Sequence, residues 1–276
     1  MSRRISARQL EQIRNNLSLP DLDALGLLRD HRFLTTAHLS GLVHGTARTP
    51  LASRRAAERQ IRKLDALGLV GCLPRRVGGF GGGAAAAVWH LSEAGQRLLR
   101  LDDRDETGNR QRWRFSQPSP RFVAHALAVA DVRLTLERLD DTSGGTASLS
   151  LVQTEPQCWR HSIGAYGVRL TLRPDLYAEI SSSEFVDMWF IEVDLATEHM
   201  PAIVKKAAAY EQYRRTGREQ ADRGAFPRVL WVAPTQQRAD AIRRAIAQAA
   251  NCNEKLHAAT TFDGLSALLT TLANNN

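Results

Sequence analysis

The sequence predicts an α/β protein in two parts: a basic module of helices and one hairpin over residues 1–100, and an α/β domain over 120–276. Three observations predict it. Apolar residues recur at helical spacing through the first part, and after residue 120 strand-length apolar runs alternate with amphipathic helices. Between them, LDDRDETGNRQRWRFSQPS (101–119) is polar and aperiodic and reads as a linker.

Composition narrows the classes. At 43% apolar and 24% charged residues, the 276-residue chain is that of a folded protein. Its apolar runs fall short of the ~20 residues needed to span a bilayer, and its basic, polar start lacks the apolar core of a secretory signal. Cys72, Cys158 and Cys252 show no CxxC spacing, which argues against a disulfide framework or a zinc site. The expectation is a cytoplasmic protein with reduced thiols and no membrane partner. The net charge of +8 is not spread evenly: residues 1–100 hold 16 Lys+Arg against 7 Asp+Glu, and the remainder 21 against 22. All the positive excess therefore sits in one module, as expected where that module faces a polyanion such as double-stranded DNA.

The elements of that module follow in order. Residues 21–30 (DLDALGLLRD) form a first helix with Asp21 as its N-cap, and Thr36 caps a second through Val43. After the break at Gly45 to Pro50, SRRAAERQIRKLDALGLV carries a third helix ending at Gly68. Its core face is Ala57, Ile61 and Leu64; its outer face presents Arg55, Arg59, Arg62 and Lys63 around Glu58, with Arg54 beside them. Residues 69–73 and 87–91 are strands joined by the tip Arg75-Arg76-Val77-Gly78-Gly79-Phe80-Gly81-Gly82-Gly83, and Ser92 and Glu93 open a fourth helix. Three helices, a hairpin with a basic tip and a further helix make the order of a winged helix-turn-helix. Its third helix would enter the major groove, and Arg75 and Arg76 would lie along the backbone.

The second part begins with an amphipathic helix over 120–139. Strands follow at 148–154, 168–173 continuing to 180, and 185–193; then a helix at 200–214, a buried strand at 229–233, a helix at 235–250 and a last β/α unit at 257–273. Arg173-Pro174-Asp175 falls within the second of these strands, and Glu192-Val193-Asp194 ends the apolar run MWFIEVD. Glu192 and Asp194, two residues apart, leave one face of a strand. If Asp175 lies on the neighbouring strand, three carboxylates converge, a pattern that Mg²⁺ or Mn²⁺ would resolve. Such a metal could activate water for attack on a phosphodiester, with Lys206 stabilising charge and Tyr210 one turn further on the same helical face. Against this stands the plain reading of Glu-x-Asp as a solvated strand end. His90 and His125 read as structural histidines, Trp113, Trp159 and Trp231 as packing residues, and none of Tyr166, Tyr177, Tyr210 and Tyr213 stands out as a nucleophile.

Two stretches carry a resemblance. The Pro174-Asp175 … Glu192-x-Asp194 order is similar to the PD-(D/E)xK nuclease superfamily. More broadly, RFLTT…RRAAERQIRKLDALGLV together with PDLYAEI…WFIEVDLATE…KKAAAYEQY resembles the replication-relaxation family of plasmids and integrative elements. That resemblance implies a winged helix followed by a restriction-endonuclease-like α/β domain, a role in plasmid replication or DNA relaxation, and metal-binding roles for Asp175 and Glu192. Where the superfamily usually places lysine, two residues after the glutamate, this chain has Asp194, and Lys206 is the candidate replacement. The chain has only four lysines against thirty-three arginines, and two of the four are adjacent here. Two functions stay open: a metal-dependent nicking or cleaving endonuclease of a mobile element, or a replication accessory factor or transcriptional regulator. The latter would use a decayed nuclease fold to form a homodimer or to bind other replication or transfer proteins.

Overall fold

A computed structural model describes residues 5–74, 86–101, 118–163, 167–182 and 185–275. The proposed hairpin-tip contacts Arg75 and Arg76, the run Gly78 to Gly83, Trp113 and Tyr166 lie outside those residues. The chain is mixed α/β and divides into two compact units at Asp131/Val132.

The first unit opens with a helix that periodicity in the basic N-terminus did not suggest, α1 (Ala7–Asn15). It is started by a Ser6/Gln9 capping box and anchored by buried Leu10. α2 (Leu19–His31) is capped by Ser18 rather than Asp21. Asp21 is instead the third helical residue, and its Oδ2 accepts the Ser18 N–H at 3.0 Å. β1 (Leu34–Thr35) leads into α3 (Thr36–His44), whose cap is Thr35, one residue before the expected Thr36. α4 (Pro50–Ala66) follows with Thr49 as N-cap and Pro50 at its first position, where a missing N–H costs nothing. It stops at Gly68, whose φ of +70° suits only glycine without strain. β2 (Val70–Cys72) and β3 (Val88–Leu91) then pair antiparallel, and β1 adds to β3, giving the order β1-β3-β2. α5 (Glu93–Leu99) is capped by Ser92. The core is Leu10, Leu25, Leu28, Leu39, Ala57, Ile61, Leu64 and Leu98.

α6 (Pro120–Glu137) runs across the boundary. Val123 and Leu127 pack with Phe33, Leu73 and Val88 of the first unit, whereas Val132 and Leu136 are buried beyond the division. The division thus falls inside a helix that the sequence places wholly in the second part.

After the short α7 (Leu139–Ser143) the second unit forms a five-stranded sheet. Its strands are β4 (Ser148–Thr154), β7 (Leu176–Ser181), β8 (Val186–Val193), β9 (Arg228–Ala233) and β10 (His257–Thr261), in the order β10-β9-β8-β7-β4. β8, β9 and β10 are parallel, while β7 is antiparallel to both its neighbours. The stretch 168–180, expected as one strand, is two. Among the described residues β6 (Arg169–Leu172) pairs only with β5 (Arg160–Ile163), and β7 joins the large sheet after Arg173-Pro174. Proline lacks the N–H a central strand needs, so the chain changes partner there. α8 (Met200–Arg214), α9 (Arg218–Arg223), α10 (Gln236–Ala247) and α11 (Leu265–Asn275) complete the unit. Of these, α9 had no periodic signal. Ile203, Ala207 and Tyr210 of α8 and Ala239, Ile242 and Ile246 of α10 share one core with Tyr177, Phe190 and Trp231 of the sheet. No described helix is long and apolar enough to cross a membrane.

Candidate functional site

Strand pairing builds the acidic site of the second unit. Leu176 is opposite Ile191 in the β7–β8 ladder, so Asp175, just before β7, comes level with Glu192. Two bonds hold it there: its amide donates to the Ile191 carbonyl at 3.1 Å, and its Oδ2 accepts the Val193 N–H at 2.8 Å. Glu192 lies between β7 and β9 and is 1% exposed. α8 covers it, and Lys206 and Tyr210, one turn apart, reach the same carboxylate. Lys206 Nζ donates to Glu192 Oε2 at 2.6 Å and the Tyr210 hydroxyl to Oε1 at 2.5 Å.

Burial pushes the Glu192 carboxyl up to about 7, against the opposing pull of Lys206, and the charge of Asp175 adds to the rise. For Lys206, burial acts downward, but the charges of Glu192 and Asp175 outweigh it and the ammonium is held above its ordinary value. The Tyr210 hydroxyl is raised well above its own by burial and by Glu192.

Asp194 does not join this group. It leaves the same face of the chain as Glu192, as spacing predicts, but α10 supplies its partner. Arg238 Nε and Nη2 grip its two oxygens at 2.6 and 3.2 Å, and Nη2 also donates to the Glu198 carbonyl at 2.6 Å. Asp194 thus has a different partner from Glu192: Arg238 of α10 holds the one, Lys206 and Tyr210 of α8 the other. Arg238 was missed in the sequence, although a signal existed. It sits in the first turn of α10, where the helix dipole disfavours a cation unless an acid holds it.

These residues do not fit a divalent cation in this arrangement. Both oxygens of Glu192 and both of Asp194 already accept hydrogen bonds from cations or a phenol, and one of Asp175 takes a backbone N–H. Among the described residues no group of three or more His, Cys, Asp or Glu side chains is placed to hold a metal. The described tyrosines are also poor nucleophiles. Tyr177, Tyr210 and Tyr213 are buried, and each hydroxyl donates to a carboxylate: Glu179, Glu192 and Glu219 respectively. A second polar network, unseen in the sequence, joins Arg160 and Tyr213 to buried Glu219 at 2.7 and 2.9 Å, and Arg223 links Glu219 to Glu179.

The first unit carries the other candidate surface. Ser53, Ala57, Gln60, Ile61 and Leu64 form the buried side of α4. Three bonds set how the helix is rolled: Gln60 donates to the Pro20 carbonyl at 2.7 Å and bonds His44 at 3.0 Å, while Ser53 donates to the Ser40 carbonyl at 2.6 Å. What remains outside is the predicted cationic face, with unequal members. Arg54 and Arg62 both lean on Glu58, at 3.2 and 3.7 Å. Lys63 turns back onto Asp21 at 2.5 Å; burial acts upward on that carboxyl, but the bonds from Lys63 and Ser18 outweigh it and hold it below its ordinary value. Arg55 and Arg59 are exposed and have no ionic partner among the described residues. Arg48, just before the helix and unremarked in the sequence, is exposed in the same way.

The match to known proteins comes from sequence rather than from shape. A family model described as Replication-relaxation matches residues 25–229. Among solved structures, the chain is similar to the crystal structure of protein VC1899 from Vibrio cholerae at 14% identity, covering 98% of this chain and 57% of that one. The TM-score is 0.31, too low to carry an argument about the fold. No curated protein matches the chain.

Proposed function

This chain belongs to the replication-relaxation family, and from that premise we propose that it binds double-stranded DNA through its first unit, in the replication or relaxation of a plasmid or mobile element. The order α2-β1-α3-α4-β2-β3, with β3 between β1 and β2, supports a winged helix in which α4 is the helix offered to the major groove. The observation that carries the reading is the pair Arg55 and Arg59. Most cations on α4 are engaged by Glu58 or Asp21, and these two are presented outward with no internal partner among the described residues. A duplex would supply the missing anions.

Fluorescence anisotropy on duplex DNA over a salt series tests this. Arg55→Ala with Arg59→Ala should weaken binding and flatten the log–log salt slope by about one per lost phosphate contact. Unchanged affinity and slope in a folded double variant would reject the assignment.

The second unit fits a binding or assembly role better than strand cleavage. Its Asp175, Glu192 and Lys206 are the residue types of a nuclease centre, and their juxtaposition is the one observation favouring that second reading. Cleavage would require the Lys206 and Tyr210 bonds to Glu192 to open, and no described tyrosine is placed to hold a DNA end covalently. Nicking of supercoiled plasmid by wild type but not by Glu192→Gln would establish cleavage; no nicking in Mg²⁺ or Mn²⁺ leaves the second unit as a scaffold for a homodimer or for other replication or transfer proteins.

A further inference from the structure

Removing the engaged cations from the outer face of α4 leaves a short stripe of Leu51, Arg55 and Arg59, spaced four residues apart. Leu51 is the unexpected member. It is 57% exposed, in the first turn of a helix whose other large apolar side chains, Ile61 and Leu64, are buried. Exposure alone argues nothing, since single exposed leucines are ordinary and Leu19 at the start of α2 is 76% exposed. The neighbourhoods differ. The first turn of α2 contains Asp21, whereas that of α4 contains no acidic residue and lies between Arg48 and Arg55. The positive end of the α4 dipole thus carries the neutral Thr49 cap and no acidic residue, a setting suited to a polyanion.

We propose that Leu51 is a specificity-determining residue that packs on the C5 methyl of a thymine in the major groove, with Arg55 reading a guanine of the same half-site. The inference rests on the DNA-binding reading above and deepens it. Recognition helices present their N-terminal residues to base edges. There, thymine offers a methyl group to apolar side chains, and guanine offers two acceptors to a bidentate arginine. Leucine cannot bond a phosphate and gains nothing from solvent, so thymine methyl is the groove feature that matches it. One helical turn, about 6 Å of rise, separates Leu51 from Arg55, which places the two bases within about two base pairs of each other.

The test uses the full chain and a randomised duplex pool. Sequences retained by wild type, Leu51→Ala and Arg55→Ala are compared, and the preferred duplex is remade with deoxyuridine, which lacks only the methyl, at each thymine in turn. One position should weaken wild type by about four-fold, the factor for burying one methyl-sized group, and leave Leu51→Ala unaffected. Arg55→Ala should relax the choice at a neighbouring guanine instead. Equal sensitivity of wild type and Leu51→Ala at every position overturns the inference, as does retention of duplexes without base preference, although DNA binding then stands. Failure of wild type to retain any duplex removes the DNA-binding reading itself.

Discussion

Replacing Glu192 with glutamine separates the energetic role of the acidic site from its chemistry. In the folded protein the Glu192 carboxyl is raised to about 7 from an ordinary 4.5, chiefly by burial. A group whose folded value is raised contributes stability that is fully present below the ordinary value and disappears as pH rises through the folded one. A rise of this size corresponds to about 3 kcal/mol, present near pH 4.5 and lost by pH 8. Lys206, raised above its ordinary 10.5, keeps its contribution across that window. Glutamine preserves the shape: its carbonyl can accept from Lys206 while its amide donates to the Tyr210 oxygen. It removes the titration of Glu192 and with it the anionic partner of Lys206, so the pH dependence of the difference between wild type and variant, not its absolute size, reports the Glu192 proton. His257 acts in the opposite sense, because burial lowers it to about 4 and its contribution fades as pH falls from its ordinary 6.5. The informative quantity is therefore the difference between wild type and Glu192→Gln, in which His257 cancels. Calorimetric melting from pH 4.5 to 8 should show wild type losing roughly 6–12 °C relative to the variant, the shift expected for about 3 kcal/mol in a unit of this size. Parallel profiles would refute the argument that desolvation of Glu192 outweighs its ion pair with Lys206.

Other outcomes follow from the same packing. Arg238→Ala strands Asp194 at 5% exposure and should cost about 3–5 kcal/mol in urea unfolding, with part regained when Asp194→Asn is added; additive losses would contradict the pairing. Gly95→Ala places a Cβ 2.1 Å from the Leu69 carbonyl oxygen, so the backbone of α5 or of the residue before β2 must shift, and a loss of about 1–3 kcal/mol is expected; a variant as stable as wild type would show that this contact is slack. Mg²⁺ or Mn²⁺ should leave the melting temperature unchanged, because the acidic oxygens are engaged by internal donors. A metal-dependent rise that Glu192→Gln abolishes would restore the cleaving reading.

Local patterns were legible wherever one residue type decided the outcome. The apolar spacing of Ala57, Ile61 and Leu64 marked α4 and its buried side, and the pairs Glu192/Asp194 and Lys206/Tyr210 each share a face as period two and period 3.6 require. β4 and α8 fall where alternation and helical spacing placed them. The family likewise follows from sequence, on the match over residues 25–229. The short elements α1, β5 and α9 were not read from the sequence: α1 and β5 rest on local signals that were passed over, a Ser6/Gln9 capping box and a hairpin with β6, whereas α9 is tied through Glu219 to the distant Arg160. Nor could any spacing rule say which charge meets which. Asp194 lies 44 residues from Arg238, and Lys63 lies 42 from Asp21, so those pairings exist only once the helices have packed. A carboxylate's neighbours determine whether it holds a metal or an ion pair, and a cation's neighbours determine whether it faces solvent. Sequence alone therefore determined the residue types of both surfaces. Tertiary packing decided that Glu192 and Asp194 are held by internal donors, and that Leu51, Arg55 and Arg59 lie on the exposed side of α4.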